Sequence, residues 1–166
     1  GEQTWQITAD KDATTSGAQT GTKKDAKVGK DDKVQLIAGE NLTVNQNERD
    51  FTYSLNKDLV KMNSATFEAT GGRTTVIKGD SIVQTDGTKV NTSTAGGNTV
   101  ADGTKSTETT AAGQVIKDGA KTNTSTVDEN TLVDGTKSNK TTVDSNVIDD
   151  GNGNVNTSNA TSNTIT

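Results

Sequence analysis

The sequence predicts an all-β, repetitive fold that has very little core of its own. Three observations support this prediction: β-branched residues dominate the apolar positions, apolar and polar residues alternate with a period of two, and Asp-Gly pairs recur at a fixed interval. Alternation with a period of two places one set of side chains on each face of a strand. We therefore expect strands and turns rather than a helical globule.

The composition limits how much core one chain can bury. The 166 residues include no Cys, His or Pro, and 27% are hydrophobic, against about 45–50% in an ordinary domain. A net charge of −5 and the absence of Pro argue against disorder. Such a chain gains buried area by stacking repeats on one another or on partner chains.

Residues 1–60 alternate apolar and polar side chains in several short sets. These sets predict strands, and they contain Trp5, Ile7 and Ala9; Val34 and Leu36; Leu42 and Val44; and Phe51, Tyr53 and Leu55. A polar stretch rich in Gly and Thr, residues 10–27, predicts a long loop between the first two sets. Residues 38–41 and 45–49 predict turns.

Residues 55–81 form a junction and a short connector. Leu55, Leu59 and Met62 have the i, i+4, i+7 spacing of a helix, so we predict one short helical turn near residues 55–62. Residues 61–81 return to strand character, most clearly in the β-branched run 74–77.

Residues 82–166 contain a repeat of 16 residues. Its most regular feature is an Asp-Gly pair, found at Asp86-Gly87, Asp102-Gly103, Asp118-Gly119, Asp134-Gly135 and Asp150-Gly151. Asp-Gly is favoured in tight hairpin turns that need a positive φ, so each unit predicts strand, turn, strand and a second turn. A Lys follows three residues after each of the first four Asp residues. Stacked units would bring Lys near Lys, with nearby Asp and Glu offsetting the repulsion.

Two segments of the first 80 residues resemble a known family. The run from Val34 to Leu59 contains AGENLTV and DFTYSLNKDL, and it resembles the Trp-ring domain of trimeric autotransporter adhesins. Trp5-Gln-Ile-Thr-Ala-Asp10 resembles the segment that carries the tryptophan of that domain. Residues 62–67 and 76–80 are similar to the short β-rich module that often follows it. The 16-residue repeats match no named module of the family.

The resemblance implies a homotrimeric fibre on the surface of a Gram-negative bacterium. It divides the chain into a Trp-ring-like head module (1–60), a β-rich connector (61–81) and a repetitive β region (82–166), which we expect to form an intertwined trimeric β-prism or β-solenoid. The residues expected to pack near the threefold axis or between chains are Trp5, Ile7, Phe51, Tyr53 and Leu55. The alternative for Trp5 is that it covers the sheet of one protomer.

Several kinds of chemistry are excluded by the residues present. Without His or Cys there is no Ser-His-Asp triad, Cys-His pair or zinc site, and we expect no enzyme activity and no cofactor. Asp150-Gly-Asn152-Gly-Asn154 resembles the start of a calcium loop, but Val155 and Thr161 replace the required Gly and Glu, so no metal is expected. An acidic pI of about 4.7 argues against nucleic acid, and no apolar run is long enough to insert in a membrane.

The expected role is attachment to host cells, extracellular matrix or other surfaces through a receptor that the sequence does not identify. Two alternatives remain: a structural stalk or spacer without receptor contact, and a monomeric β-solenoid passenger or ice-binding repeat. The chain begins without a signal-peptide pattern, so we expect an interior piece or a mature fragment of an exported protein. Six Asn-X-Ser/Thr sequons are present, at Asn41, Asn91, Asn123, Asn139, Asn156 and Asn159.

Overall fold

The structure, a computed structural model, describes residues 3–166 and is all-β. Seventeen strands form three antiparallel sheets, and the described residues contain no helix. The chain divides into two compact units, of which the first ends at Lys61 and the second spans Met62–Thr166. The predicted all-β class is therefore confirmed.

The first unit contains two separate two-stranded sheets. Strands β1 (Trp5–Ile7) and β2 (Ala26–Val28) pair with each other, and β3 (Leu42–Asn47) pairs with β4 (Asp50–Leu55). The loop between β1 and β2 carries an ion pair of 2.9 Å between Lys23 Nζ and Asp10 Oδ2. The strand expected around Val34 and Leu36 is absent, because alternating side chains do not by themselves supply a backbone partner.

The helical turn predicted near residues 55–62 is also wrong. The backbone of this segment is held by Asn41 instead of by its own i to i−4 hydrogen bonds. Asn56 N–H donates to the Asn41 carbonyl at 2.8 Å, and Val60 N–H donates to Asn41 Oδ1 at 2.8 Å. These bonds satisfy the groups that a helix would have paired internally.

The second unit is one antiparallel sheet of thirteen strands in which spatial order follows chain order. Each strand contacts only the strands before and after it in sequence, so the unit is a single-layer meander. The strands are β5 (Ser64–Ala69), β6 (Arg73–Lys78), β7 (Ile82–Asp86), β8 (Lys89–Ser93), β9 (Gly97–Asp102), β10 (Lys105–Thr110), β11 (Gly113–Asp118), β12 (Lys121–Thr126), β13 (Asn130–Asp134), β14 (Lys137–Thr141), β15 (Ser145–Asp149), β16 (Val155–Asn159) and β17 (Asn163–Ile165).

The Asp-Gly pairs lie at hairpin turns along one edge of this sheet. Asp86 is the last residue of β7 and pairs with Lys89, so the loop consists of Gly87 and Thr88. Gly87 has a φ of 60°, and a positive φ at the first central position is the type II′ arrangement. The same geometry recurs at Gly103, Gly119 and Gly135. The Asp therefore belongs to the strand and not to the two-residue loop.

The opposite edge carries a second set of turns, four of which are closed by a Thr hydroxyl. In the turn after β12, Thr126 Oγ1 accepts the N–H groups of Asp128 and Glu129 at 3.2 and 3.3 Å. Thr94 and Thr142 each accept two N–H groups in the same way, and Thr110 accepts the N–H of Ala112. The residue after each of these four Thr residues forms the tip of the turn. We call these four residues the turn tips: Ala95, Ala111, Val127 and Val143.

The last unit is one residue longer, and a loop absorbs the extra residue. Asp149 pairs with Val155, which leaves the loop 150–154 between β15 and β16. Asp150 Oδ1 and Oδ2 accept from Asn152 N–H and Asn154 Nδ2 at 2.8 and 2.7 Å. Gly151, with a φ of 74°, lies against Thr136, so an added Cβ would clash there.

Burial is exceptionally low for a folded chain. Val28 is the one buried hydrophobic residue among those described, at 9% exposure. The accessible surface is 13405 Å², whereas a compact monomer of 17.2 kDa has about 7,800 Å². Hydrogen-bonded ladders are thus formed, but most of the apolar side chains they carry are still in contact with solvent.

Candidate functional site

The thirteen-strand sheet presents two faces, which the strand register assigns. One continuous cross-strand row runs from β5 to β17. It contains Phe67, Thr75, Gln84, Asn91, Val100, Thr107, Ile116, Asn123, Leu132, Asn139, Ile148, Asn156 and Ile165. We call the face with this row face A, and the opposite face, which holds neighbours such as Val115 and Val133, face B.

Large aliphatic side chains occupy every second position in the repeat part of this row. We call Val100, Ile116, Leu132 and Ile148 the aliphatic row. They are 48%, 44%, 55% and 46% exposed. They stand on alternate strands, so successive members are about 9.6 Å apart. Thr107, Asn123 and Asn139 lie between them, which separates the aliphatic side chains from one another within one chain.

A second row of face A, at the Asp-Gly edge, alternates in charge. Its members, the charge ladder, are Asp86, Lys89, Asp102, Lys105, Asp118, Lys121, Asp134 and Lys137. Lys105 lies directly between Asp102 and Asp118, so the expected Lys-to-Lys neighbours do not occur. Like charges are two strands, about 9.6 Å, apart. An ion pair of 3.1 Å from Arg73 Nε to Asp86 Oδ2 extends the ladder.

The third row of face A is uncharged and bonded through side-chain amides. Asn98 Nδ2 donates to Ser93 Oγ at 3.0 Å and to Asn91 Oδ1 at 2.8 Å. Asn146 Nδ2 makes the equivalent bonds to Thr141 Oγ1 and Asn139 Oδ1 at 2.9 and 2.7 Å. Four of the six sequon asparagines, Asn91, Asn123, Asn139 and Asn156, stand in the central row of face A.

An open groove runs along face A between the aliphatic row and the charge ladder. Its larger part has a volume of about 930 Å³ and extends from Val100 to Asp150. A smaller part of about 390 Å³ extends from Phe67 to Val100. Val100 is common to both, so the groove follows most of the sheet. Ile116, Leu132 and Ile148 give its lining an apolar character.

Face B is less suited to contact with an apolar partner. It carries Val76, Val83, Val115 and Val147 in one row, but Glu108 and Lys140 interrupt that row. Lys140 Nζ pairs with Glu129 Oε2 at 3.0 Å. Charges on face B are therefore distributed through its centre, whereas those of face A are confined to one edge within the repeats.

The first unit also exposes an apolar face. On the β3–β4 hairpin the register places Leu42, Val44, Phe51, Tyr53 and Leu55 on one side and only polar residues on the other. Phe51, Tyr53 and Leu55 are 41%, 45% and 69% exposed. The Tyr53 hydroxyl donates to the Ile37 carbonyl at 3.2 Å. A two-stranded hairpin with one apolar face is marginally stable without cover.

The five residues expected between chains fall into two groups. Phe51, Tyr53 and Leu55 share the hairpin face, whereas Trp5 and Ile7 share a face of β1, which makes no contact with β3 or β4. Trp5 lies opposite Val28 and is 56% exposed. The structure thus brings the members of each group together but does not bring the two groups together.

The aliphatic row was missed in the sequence as a separate feature, although a signal for it exists. Each member lies two residues before the Asp of an Asp-Gly pair, in the last unit before Asp150. Residues two apart in a strand share a face. The adjacent apolar residues Val115, Val133 and Val147 obscured this pattern because both faces carry aliphatic side chains. The cross-strand pairing was needed to assign these apolar residues to the two faces of the sheet.

The site contains no arrangement suited to metal binding in the part of the chain that the structure describes, where no group of three or more potential ligands is found. The Asp150 loop is closed by its own hydrogen bonds. Donation from Asn154 Nδ2, followed by the Asn152 N–H, holds the pKa of the Asp150 carboxyl below its usual range. Residues 3–166 also include no helix long and apolar enough to cross a membrane.

Comparison of the chain with protein-family models, curated proteins and solved structures found no match.

Proposed function

We propose that this chain is a passenger segment of a trimeric surface adhesin of a Gram-negative bacterium, and that it is not an enzyme. The segment would contribute to attachment to host cells, extracellular matrix or other surfaces. The resemblance of residues 34–59 to the Trp-ring domain supplies the family, and the exposed apolar faces support self-association. A host receptor remains a partner of unknown identity.

The observation that carries this proposal is the single-layer sheet. A sheet with apolar side chains on both faces requires another layer, and contacts within the second unit are restricted to sequence neighbours. The aliphatic row alone leaves four large side chains about half exposed. Covering the exposed half of each would contribute about 1 kcal/mol. Three copies that share one interior would supply this cover, and the apolar face of β3–β4 has the same requirement.

A trimeric β-prism is the assembly that we favour. In it, the sheet of each copy forms one wall, and the strands of Met62–Thr166 lie across the fibre. Thirteen strands separated by about 4.8 Å give a wall about 58 Å long. Weak contacts that recur along three walls reach high avidity by multivalency, which is consistent with adhesion that does not depend on one deep pocket.

A structural spacer without receptor contact is the second candidate. The regular 16-residue units and their strictly local contacts favour it. A monomeric solenoid is less favoured, because the strands follow an antiparallel meander. An ice-binding face is also less favoured, because Glu108 and Lys140 interrupt the row of face B that contains Thr92, Thr99, Thr124 and Thr131.

Light scattering on the purified chain tests the assembly. We expect a trimer, either for the chain alone or for the chain fused to a trimeric coiled coil that fixes the local concentration. In the fused form, the β region should unfold at a higher temperature than in a fusion to a monomeric carrier. A β region that is monomeric alone and gains no stability from the trimeric fusion would contradict the proposal.

Deletion of residues 82–166 from a displayed fibre separates adhesin from spacer. If the repeats contact the receptor, attachment to cells or matrix-coated surfaces falls while display and trimer content stay unchanged. If they are a spacer, the fibre becomes shorter and attachment persists. Electron microscopy of fibre length and a binding assay on the same cells provide the two measurements.

A further inference from the structure

The loop 150–154 contains the one Asn-Gly pair of the sequence, Asn152-Gly153. The four regular Asp-Gly turns have two-residue loops, and none of those loops contains Asn. Asparagine is thermally labile, because the backbone nitrogen of the next residue can attack its side-chain amide. Glycine has no Cβ to obstruct that approach. The longer loop of the last unit is therefore where this reaction meets the least steric hindrance.

The Gly153 nitrogen is free to react. Asp150 Oδ1 accepts the N–H groups on either side of it, those of Asn152 and Asn154, at 2.8 and 3.2 Å. Within residues 3–166, no group accepts a hydrogen bond from the Gly153 N–H. A Cβ added at Gly153 would meet no atom beyond its chain neighbours within 4 Å. Water and hydroxide can therefore reach this nitrogen.

The two asparagines of the loop differ in how firmly their reacting groups are held. Asn152 is exposed, and its side chain has no hydrogen-bond partner among the described residues, so it can rotate toward the next nitrogen. Asn154 Nδ2, by contrast, donates to Asp150 Oδ2 at 2.7 Å. The nitrogen that follows Asn154 is also occupied, since Val155 N–H donates to the Thr166 carbonyl at 3.0 Å. The loop thus holds Asn154 and leaves Asn152 free.

We propose that Asn152 is a site of spontaneous deamidation, and that the isoaspartate it forms loosens the attachment of β16 and β17. The Gly153 nitrogen loses its proton to water or hydroxide and bonds to Asn152 Cγ, and the side-chain nitrogen leaves as ammonia. A water molecule then opens the cyclic succinimide at either carbonyl, which gives aspartate or isoaspartate. The net reaction exchanges an amide nitrogen for an oxygen of water, without oxidation or reduction.

Isoaspartate would disturb the loop because it adds a methylene group to the main chain. The loop is closed by bonds between its two ends: Asn154 donates to Asp150 through N–H and Nδ2, and Asp150 N–H donates to the Asn154 carbonyl at 3.2 Å. The added methylene lies between these ends, so they would no longer meet in the same geometry. Only β16 and β17 follow the loop, and β16 contacts only β15 and β17. We therefore expect the loosening to be confined to these last strands.

Peptide mapping of the aged chain tests the site. The purified protein is incubated at mildly alkaline pH and digested with trypsin, which releases residues 141–166 as one peptide because no Lys or Arg follows Lys140. Fragment masses should place the exchange of NH₂ for OH at Asn152 and not at Asn154. Asn152→Gln should stay unmodified at this position, since its longer side chain would have to form a larger ring. Equal modification of Asn152 and Asn154 would overturn the proposal.

The rate in the folded chain tests whether the loop leaves the pair free. The same incubation in concentrated urea gives the rate for the unfolded chain. We expect the folded rate to lie within about tenfold of it, because no hydrogen bond has to be broken before the reaction. A folded rate lower by more than this factor would show that the loop protects Asn152 and would overturn the proposal.

Hydrogen exchange tests the consequence for the sheet. Chains with isoaspartate, separated by their additional negative charge and identified by electron-based fragmentation, should exchange the amides of β16 and β17 at least about tenfold faster than the parent. The amides of β9 should be unchanged. Asn152→Asp is the matched control, because it adds the charge without lengthening the main chain, and it should exchange like the parent. Equal exchange in the isoaspartate chain and in Asn152→Asp would overturn the second part of the proposal.

Discussion

The side-chain amide of Asn41 holds the backbone of Val60 by bonding both the N–H and the carbonyl group of Val60. Asn41 Oδ1 accepts the Val60 N–H at 2.8 Å, and Asn41 Nδ2 donates to the Val60 carbonyl at 3.0 Å. Asn41 itself has a φ of 68°, a conformation that Asn tolerates better than most residues. One side chain thus fixes the end of the first unit against the start of β3.

Asn41→Gly should lower the free energy of unfolding of the first unit by about 2 kcal/mol. Glycine accepts the positive φ, so the change removes mainly the two hydrogen bonds to Val60, worth about 1 kcal/mol each. Thermal unfolding followed by the fluorescence of Tyr53, the one tyrosine of the chain and a member of the β3–β4 hairpin, measures the loss. The control is Asn45→Ala on the exposed polar side of β3, which should stay within about 0.5 kcal/mol of the parent. Equal stability of the two variants would contradict the role of Asn41.

Gly103→Ala should destabilise the repeat sheet by about 1 kcal/mol. The φ of 61° at Gly103 is strained for a residue with a Cβ. Gly79→Ala is the matched control, because Gly79 also lies in a turn with open space around it but has no positive φ. Urea denaturation compares the two. If Gly79→Ala lowers the free energy of unfolding as much as Gly103→Ala does, the type II′ geometry is not the cause of the loss.

Asp118→Lys should destabilise the sheet by about 1 kcal/mol at low salt and by less at high salt. It would place three Lys side chains on adjacent strands, since Lys105 and Lys121 flank position 118, and directly opposed like charges are unfavourable. Salt screens exposed charges. Glu108→Lys makes the same charge change on face B, opposite Thr99 and Val115, and should show a much smaller salt dependence. A salt-independent loss for Asp118→Lys would argue against the charge ladder.

The loop 150–154 should lose stability in acid. Hydrogen bonds from Asn154 Nδ2 and Asn152 N–H lower the pKa of Asp150 in the folded chain. This contribution is therefore complete above the unfolded value of about 3.9 and is lost as the pH falls through the lower folded pKa. An NMR titration of the Asp150 carboxyl should give a midpoint below about 3.9, and Asn154→Ala should move it upward. An unchanged midpoint in Asn154→Ala would contradict this cause.

Local signals in the sequence identified many individual elements, and long-range information was missing for the rest. The alternation around Phe51 and Tyr53 predicted β4 because a hairpin requires only a neighbouring partner. The helical spacing of Leu55, Leu59 and Met62 misled, because tertiary bonds from Asn41 outweigh a weak local preference. Val34 and Leu36 alternate correctly but have no strand beside them.

The candidate site depended on pairing that the repeat spacing alone did not reveal. Asp-Gly was interpreted as the turn itself, whereas Asp102 closes a strand opposite Lys89 and Lys105. Because Asp102 lies in the strand and not in the turn, it becomes a member of the charge ladder. Val100, two residues before it in the same strand, then lies on the same face, face A. The exposure of the turn-tip residues Val127 and Val143 also required the structure, because nothing local in the sequence indicates whether a valine is covered or exposed.

The locality of the meander has a consequence for how such a chain can change in evolution. Because every strand depends only on its two neighbours in sequence, whole 16-residue units could be duplicated or lost without altering the pairing of those that remain. The loop 150–154 accommodates a unit with one additional residue and keeps Ile148 and Ile165 in the same row. Natural variants should therefore differ in unit number more readily than in the length of individual strands.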